Sequence, residues 1–271
     1  MSRYASSASE ISSTPGGHVN STGTKIVAKL STVVAVSGLI FALSANFPSA
    51  SPVSAVALAE PQVPHPGCRP PSLANCYSEA TMKDYRDRVL PDIAGFFKAK
   101  YKTVPEEPSE NHFIEKGSPW PSRCGVLDDR TLAYCLRDNN VYLGQVAMGE
   151  LYDQVGDIAP AIAIVHEWGH NIQFRKGVPE PKNKEENVKS EQQADCVAGA
   201  WIQYVGQQGW LEPEDARTID RLIEYLARAE PSNGDHGTPE GRRDAMLLGK
   251  GGGLSECNRF SPSTPIFTGR D

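Results

Sequence analysis

Apolar residues in this chain form one predominantly apolar stretch near the N-terminus and, further on, several stripes at helical spacing. The block runs from Leu30 to Leu43 and spans 14 residues. A membrane-crossing helix needs about 20, so the block suits the apolar core of a signal peptide better. Lys25 and Lys29 precede it, and Ala57-Leu58-Ala59 before Glu60 fits a small-x-small cleavage site. The polar leader over residues 1–29 and the distance from Leu43 to Ala59 are long for that reading, which keeps an uncleaved signal anchor as the alternative. Residues 1–59 are therefore read as signal peptide or signal anchor. Residues 44–75 are rich in Pro, Ser and Ala and read as a cleavage region followed by an extended linker over 60–75. No other long apolar run follows.

Residues 79–101 carry Ile93, Phe96, Phe97 and Tyr101 at helical spacing and predict a helix interrupted at Pro91. Residues 103–122 read as loop, with Pro105, Pro108, Pro119 and Pro121. Asn140-Val141-Tyr142-Leu143 reads as a short strand. The run Ile158–Val165 predicts a buried helix that starts near Asp157, with Pro160 in its first turn. Residues 175–190 are polar and predict a surface loop. A second helix is expected from about Val188 to Val205, with Ala194, Val197, Ala198 and Trp201 inward. A third is expected from Pro213 to Ala229. A fourth starts at Thr238, with Pro239 at its first position, and ends in the run Gly249–Gly253. Together these predict an α+β fold, mainly helical with a small sheet. The folded domain spans residues 76–262, and 263–271 form a C-terminal tail.

The candidate chemistry sits at the end of the apolar run. His166-Glu167-Trp168-Gly169-His170 spells H-E-x-x-H. Residues four apart share a helix face, so both imidazoles can point at one metal ion. Glu167 can then take a proton from an attacking water. Trp168 lies about 200° around the helix from His166 and is read as core. Gly169 is read as allowing another backbone close. A hydrolytic zinc site takes three protein ligands and leaves one position open. The best third ligand is Glu191, with Glu185 and Glu186 weaker because they fall in the polar loop. Asp195, one turn beyond Glu191, can accept a hydrogen bond from a ligand imidazole. His236 is a candidate for stabilising the transition-state oxyanion, with Tyr204 and Arg242 behind it; its plainer reading is a turn residue before Thr238.

Composition narrows the partners. The net charge is -6. Arg3, Lys25 and Lys29 against Glu10 make the first 59 residues +2, which leaves -8 for the rest and disfavours a nucleic-acid partner. Six cysteines, Cys68, Cys76, Cys124, Cys135, Cys196 and Cys257, all follow the N-terminal segment. An even count so placed points to disulfides and an oxidising compartment, with the pairing open.

Several segments, in this order, resemble the bacterial putative neutral zinc metallopeptidases. They are Cys124-Gly125, Ala133–Cys135 with Asn140–Leu143, His166–Gln173, Glu191–Gly199, His236–Thr238 and Cys257–Phe260. The resemblance covers most of residues 120–260. It implies a zincin-like metallopeptidase domain with one Zn2+ held by His166, His170 and Glu191, and Glu167 as general base. It also implies Cys124–Cys135 and Cys196–Cys257 pairs, which leave Cys68 for Cys76. Asn171 departs from it, standing where many relatives carry a third histidine, and the loop before Glu191 is unusually charged. The expected substrate is a peptide or protein, met outside the cell or at its surface. The membrane enters only through the N-terminal segment. A zinc-containing surface binding module and a cell-wall peptide amidase are the alternatives.

Overall fold

A computed structural model describes residue 68 and residues 73–101, 107–229 and 235–269. The segment read as signal peptide or anchor lies outside them, as does most of the linker. Among the described residues no helix is long and apolar enough to cross a membrane. The fold is mainly helical with a small sheet and three cysteine pairs.

After a 3-10 turn at Glu79–Thr81, helix α1 (Met82–Lys100) runs without a break. Pro91 does not interrupt it, contrary to the sequence expectation. An interior proline costs about 3 kcal/mol. Here it stands on the exposed face, where the carbonyl it leaves unbonded can meet water. The opposite face buries Met82, Tyr85, Val89, Ile93, Phe96 and Phe97 and holds the helix together. Phe97 stacks on Trp168 at 5.3 Å between ring centroids, which places Trp168 in the core as expected.

The stretch 103–122, read as loop, contains two strands. Strand β1 (Glu110–Ile114) pairs in parallel with β5 (Asn140–Gly144), and β4 (Leu132–Cys135) pairs antiparallel with the other side of β5. Strands β2 (Trp120–Ser122) and β3 (Gly125–Leu127) form a separate hairpin. The sequence signal was weak because β1 is an edge strand that buries only Ile114, and β2 is three residues long with a proline. Cys124 in the hairpin turn is paired with Cys135 at the end of β4.

Helix α2 (Gln145–Gln154) follows β5 at once and was not anticipated; it intervenes between the strand and the motif helix. Helix α3 (Ala159–Arg175) is buried almost all round and starts near Asp157 as expected, with the next residue, Ile158, as its N-cap. Helix α4 (Lys184–Gln207) begins earlier than expected, because Asn183 caps it by accepting from the Glu186 amide. Only residues 176–183 of the expected surface loop remain outside helices. A 3-10 turn at Pro213–Arg217 leads into α5 (Thr218–Ala229), and Thr238 caps α6 (Pro239–Gly252).

Helices α4 and α6 touch backbone to backbone. A Cβ on Gly199 would lie 1.9 Å from the Met246 carbonyl oxygen, and one on Gly249 would lie 1.9 Å from that of Cys196. Only glycine fits at either point. The same contact is tied covalently, since Cys196 pairs with Cys257 in the 3-10 turn Leu254–Phe260. Cys68 pairs with Cys76, and the Cys68 carbonyl accepts from the Tyr77 hydroxyl, so the end of the linker belongs to the domain. The expected tail also packs down: Ile266 is fully buried, and Asn258 brackets the Phe267 backbone with two hydrogen bonds.

Candidate metal centre

His166 and His170 stand one turn apart on α3, their ring centroids 4.9 Å apart and their planes nearly perpendicular. Helix α4 crosses beside them. Gly169 permits the approach, since a Cβ there would meet the Ala194 Cα at 3.0 Å. Glu191, in the third turn of α4, thereby brings Oε2 to 3.3 Å from His166 Nε2 and 3.6 Å from His170 Nε2. The three ligand-type atoms lie within 4.8 Å of one another, and all three residues are buried.

The far side of each ring is held. His166 Nδ1 is 2.9 Å from Asp195 Oδ1, and Asp195 in turn accepts from Arg242 Nε at 2.9 Å and Nη2 at 3.1 Å. His170 Nδ1 is 2.9 Å from Gln173 Oε1. The Gln173 amide nitrogen donates to the Ser190 carbonyl and to Gln193 Oε1, and Gln193 donates to the Cys257 carbonyl. Both Nδ1 partners are acceptors, so each Nδ1 carries its hydrogen. In the neutral ring this leaves the Nε2 lone pairs facing Glu191; this tautomer is assigned from the hydrogen bonding.

Glu167 turns toward the sheet. Its Oε2 accepts from the Tyr134 backbone N–H of β4 at 2.7 Å. Burial raises the Glu167 pKa, the two imidazoles counteract, and the Glu191 charge adds to the rise. Burial would also raise Glu191, yet His170 and His166 outweigh it and hold its carboxyl well below the usual range. For His170, burial lowers the pKa but Glu191 more than restores it. Asp195 stays ionised against burial because Arg242 and His166 face it. Three buried carboxylates around two imidazoles make a cluster that favours a cation.

The donor set passes a simple fit test for zinc. Ligands about 2.0–2.1 Å from a tetrahedral ion stand roughly 3.3 Å from one another, and the separations to Glu191 are close to that. Two imidazole nitrogens and one carboxylate oxygen are also the donor types of a hydrolytic zinc site with one position left open.

The other expected residues are placed as follows. His236 Nε2 lies 3.9 Å from Glu191 Oε2, on the segment whose Asp235 carbonyl accepts from Asn187 of α4. Tyr204 is 13 residues beyond Glu191 on α4, about 20 Å along the axis, and its ring packs on Phe96; it has no place at the site. Arg242 is close by, but its guanidinium is turned onto Asp195 and is not aimed at an oxyanion. Glu185 and Glu186 are on the first turn of α4 rather than in a loop; Glu185 pairs with Lys189 and Glu186 accepts from the Lys182 amide, away from the histidines. The role of Gln173 was missed, although its position three after His170 puts it within reach on one helix face. The Tyr134 amide could not be found from spacing, because it comes from a strand 33 residues away.

A groove of ≈ 270 Å³ opens beside His170, lined also by Tyr134, Leu136, Gln173, Phe174, Val178 and Glu180.

Comparison with known proteins gives one family: the profile described as putative neutral zinc metallopeptidase matches residues 6–224. Uncharacterized protein YpfJ of Escherichia coli strain K12 is 32% identical over 155 residues, which cover 48% of this chain and 54% of that protein. Uncharacterized protein Rv2575 of Mycobacterium tuberculosis strain H37Rv is 27% identical over 159 residues, covering 47% and 54%. The chain thus spans about half the length of the curated relatives it matches. No solved structure matches it.

Proposed function

We propose a peptidase activity from one premise: the chain belongs to the putative neutral zinc metallopeptidase family. In this reading the protein hydrolyses peptide bonds in a zincin-like domain, with His166, His170 and Glu191 holding one Zn2+. The observation that carries it is the convergence of these three buried side chains, with both Nδ1 nitrogens anchored by Asp195 and Gln173. A site built only to brace the fold would use its fourth position for another side chain.

Bound there, zinc would supply Lewis acidity, lowering the pKa of a water and polarising the scissile carbonyl. The protein's own groups do the rest. Glu167 accepts the proton of the attacking water and returns it to the leaving amine. The Tyr134 N–H fixes the orientation of the Glu167 carboxylate on one oxygen, which leaves the other for the proton. His236, whose Nε2 is 3.9 Å from Glu191 Oε2, serves in this reading as the donor to the developing oxyanion.

The reading extends to a secreted or surface-anchored protein. Three disulfides among the described residues support an oxidising compartment. The test of the ligand set is Glu191→Ala. It should lose most bound zinc, read by metal analysis of the purified protein; zinc content equal to wild type would remove Glu191 from the set.

A further inference from the structure

The groove beside His170 has walls of a particular chemistry. Helix α3 ends in a Schellman turn: the Val178 amide donates to the Gln173 carbonyl and the Gly177 amide to that of Phe174. Gly177 has φ 72, in the left-handed region that glycine adopts without strain. The turn folds Val178 back beside Phe174, facing Tyr134 and Leu136 from β4 and the residue after it.

The polar groups at the walls are already used. Gln173 spends its amide hydrogens on Ser190 and Gln193, and its oxygen accepts from His170 and the Ser190 hydroxyl. The Tyr134 hydroxyl donates to Asn139. The surface left toward the groove is about equally polar and apolar; its apolar part comes from Leu136, Phe174, Val178 and the Tyr134 ring, and the exposed Glu180 stands on its wall. Phe174 is 44% exposed, although it directly follows the buried run of the motif helix, and it is not packed into the core. It leaves aromatic surface open beside the candidate metal ligands.

We infer that this groove is a specificity subsite that takes a large aliphatic or aromatic side chain of the substrate residue next to the scissile bond. The inference rests on the peptidase reading above. Its size is sufficient: ≈ 270 Å³, just under the roughly 300–1,000 Å³ of pockets that enclose a whole small ligand, holds one large side chain. Its position agrees as well, since His170 belongs both to the groove and to the ligand cluster, so a side chain seated there lies next to that cluster.

The test uses the zinc-loaded full chain on a peptide series that varies one residue on each side of a fixed bond among Phe, Leu, Ala and Lys. Wild type should favour Phe or Leu over Ala on one side by roughly tenfold or more in kcat/KM. Phe174→Ala should narrow that preference several-fold. Val178→Trp, which fills the groove, should turn it toward Ala. An identical preference in wild type and Phe174→Ala would overturn the subsite while leaving the peptidase reading intact. A preference for Lys that Glu180→Gln abolishes would overturn its apolar character. No cleavage of any peptide by the wild type would overturn the peptidase reading, and the subsite with it.

Discussion

Gln173 holds His170 from behind: the two side chains are one turn apart on α3, with Oε1 2.9 Å from Nδ1. The same amide reaches across to Ser190 and Gln193 on α4. One residue therefore sets the tautomer of a candidate ligand and fastens the helix that carries it to the helix that carries Glu191. It is the counterpart of Asp195 behind His166, with a neutral acceptor in place of a charged one.

Removing such a partner lowers metal affinity by roughly 10–100-fold in known sites. Gln173→Leu should do the same here for zinc. Competition against a chromophoric chelator, on protein shown to be folded by circular dichroism, measures it. An affinity equal to wild type would mean that His170 needs no support from Gln173.

The crossing of α4 and α6 should tolerate no side chain at Gly249. An alanine would gain roughly 0.5–1 kcal/mol of helix preference, but its methyl would stand 1.9 Å from the Cys196 carbonyl oxygen. The helices would have to part, at a cost of about 1–3 kcal/mol or more. Gly249→Ala should therefore lower the denaturant midpoint, and a raised midpoint would show that the crossing is looser than described.

Asp157 gives stability a dependence on pH away from the metal site. Burial, then the charges of Asp215 and Glu212, push its carboxyl up to about 6. The unfolded value is about 3.9. Below that, both states are protonated. Between about 3.9 and 6 the folded state keeps a proton that the unfolded state has released, so stability falls as pH rises through this window. Asp157→Asn removes the ionisation and can keep an acceptor for the nearby backbone amides. It should be more stable than wild type at pH 7, by about 1 kcal/mol after allowing for partial exposure. The difference should shrink toward pH 4. Urea midpoints at both values test the sign.

What could be read from the sequence divides by distance along the chain. H-E-x-x-H was legible because its two histidines need only one helical turn to meet, and Glu191 with Asp195 because they repeat that spacing on a second helix. The caps at Thr238 and Pro239 were legible for the same local reason. Contacts that depend on packing were not. Nothing near Arg242 indicates that it closes on Asp195, 47 residues earlier. Nothing near Tyr134 indicates that its amide meets Glu167. Pro91 misled because its penalty is local, whereas the buried face that overrides it becomes visible only once α1 is packed. Strand β1 was hidden because an edge strand with one buried residue lacks the alternation that identifies strands.

The central claim is that Glu167 works as a base beside a zinc ion, and Glu167→Gln tests it most directly. Wild type and variant, each with zinc quantified, are incubated with a diverse peptide library and the products read by mass spectrometry. The account predicts one zinc in both proteins, cleavage by the wild type and none above background by the variant. Equal cleavage by the two, with zinc retained, would contradict it.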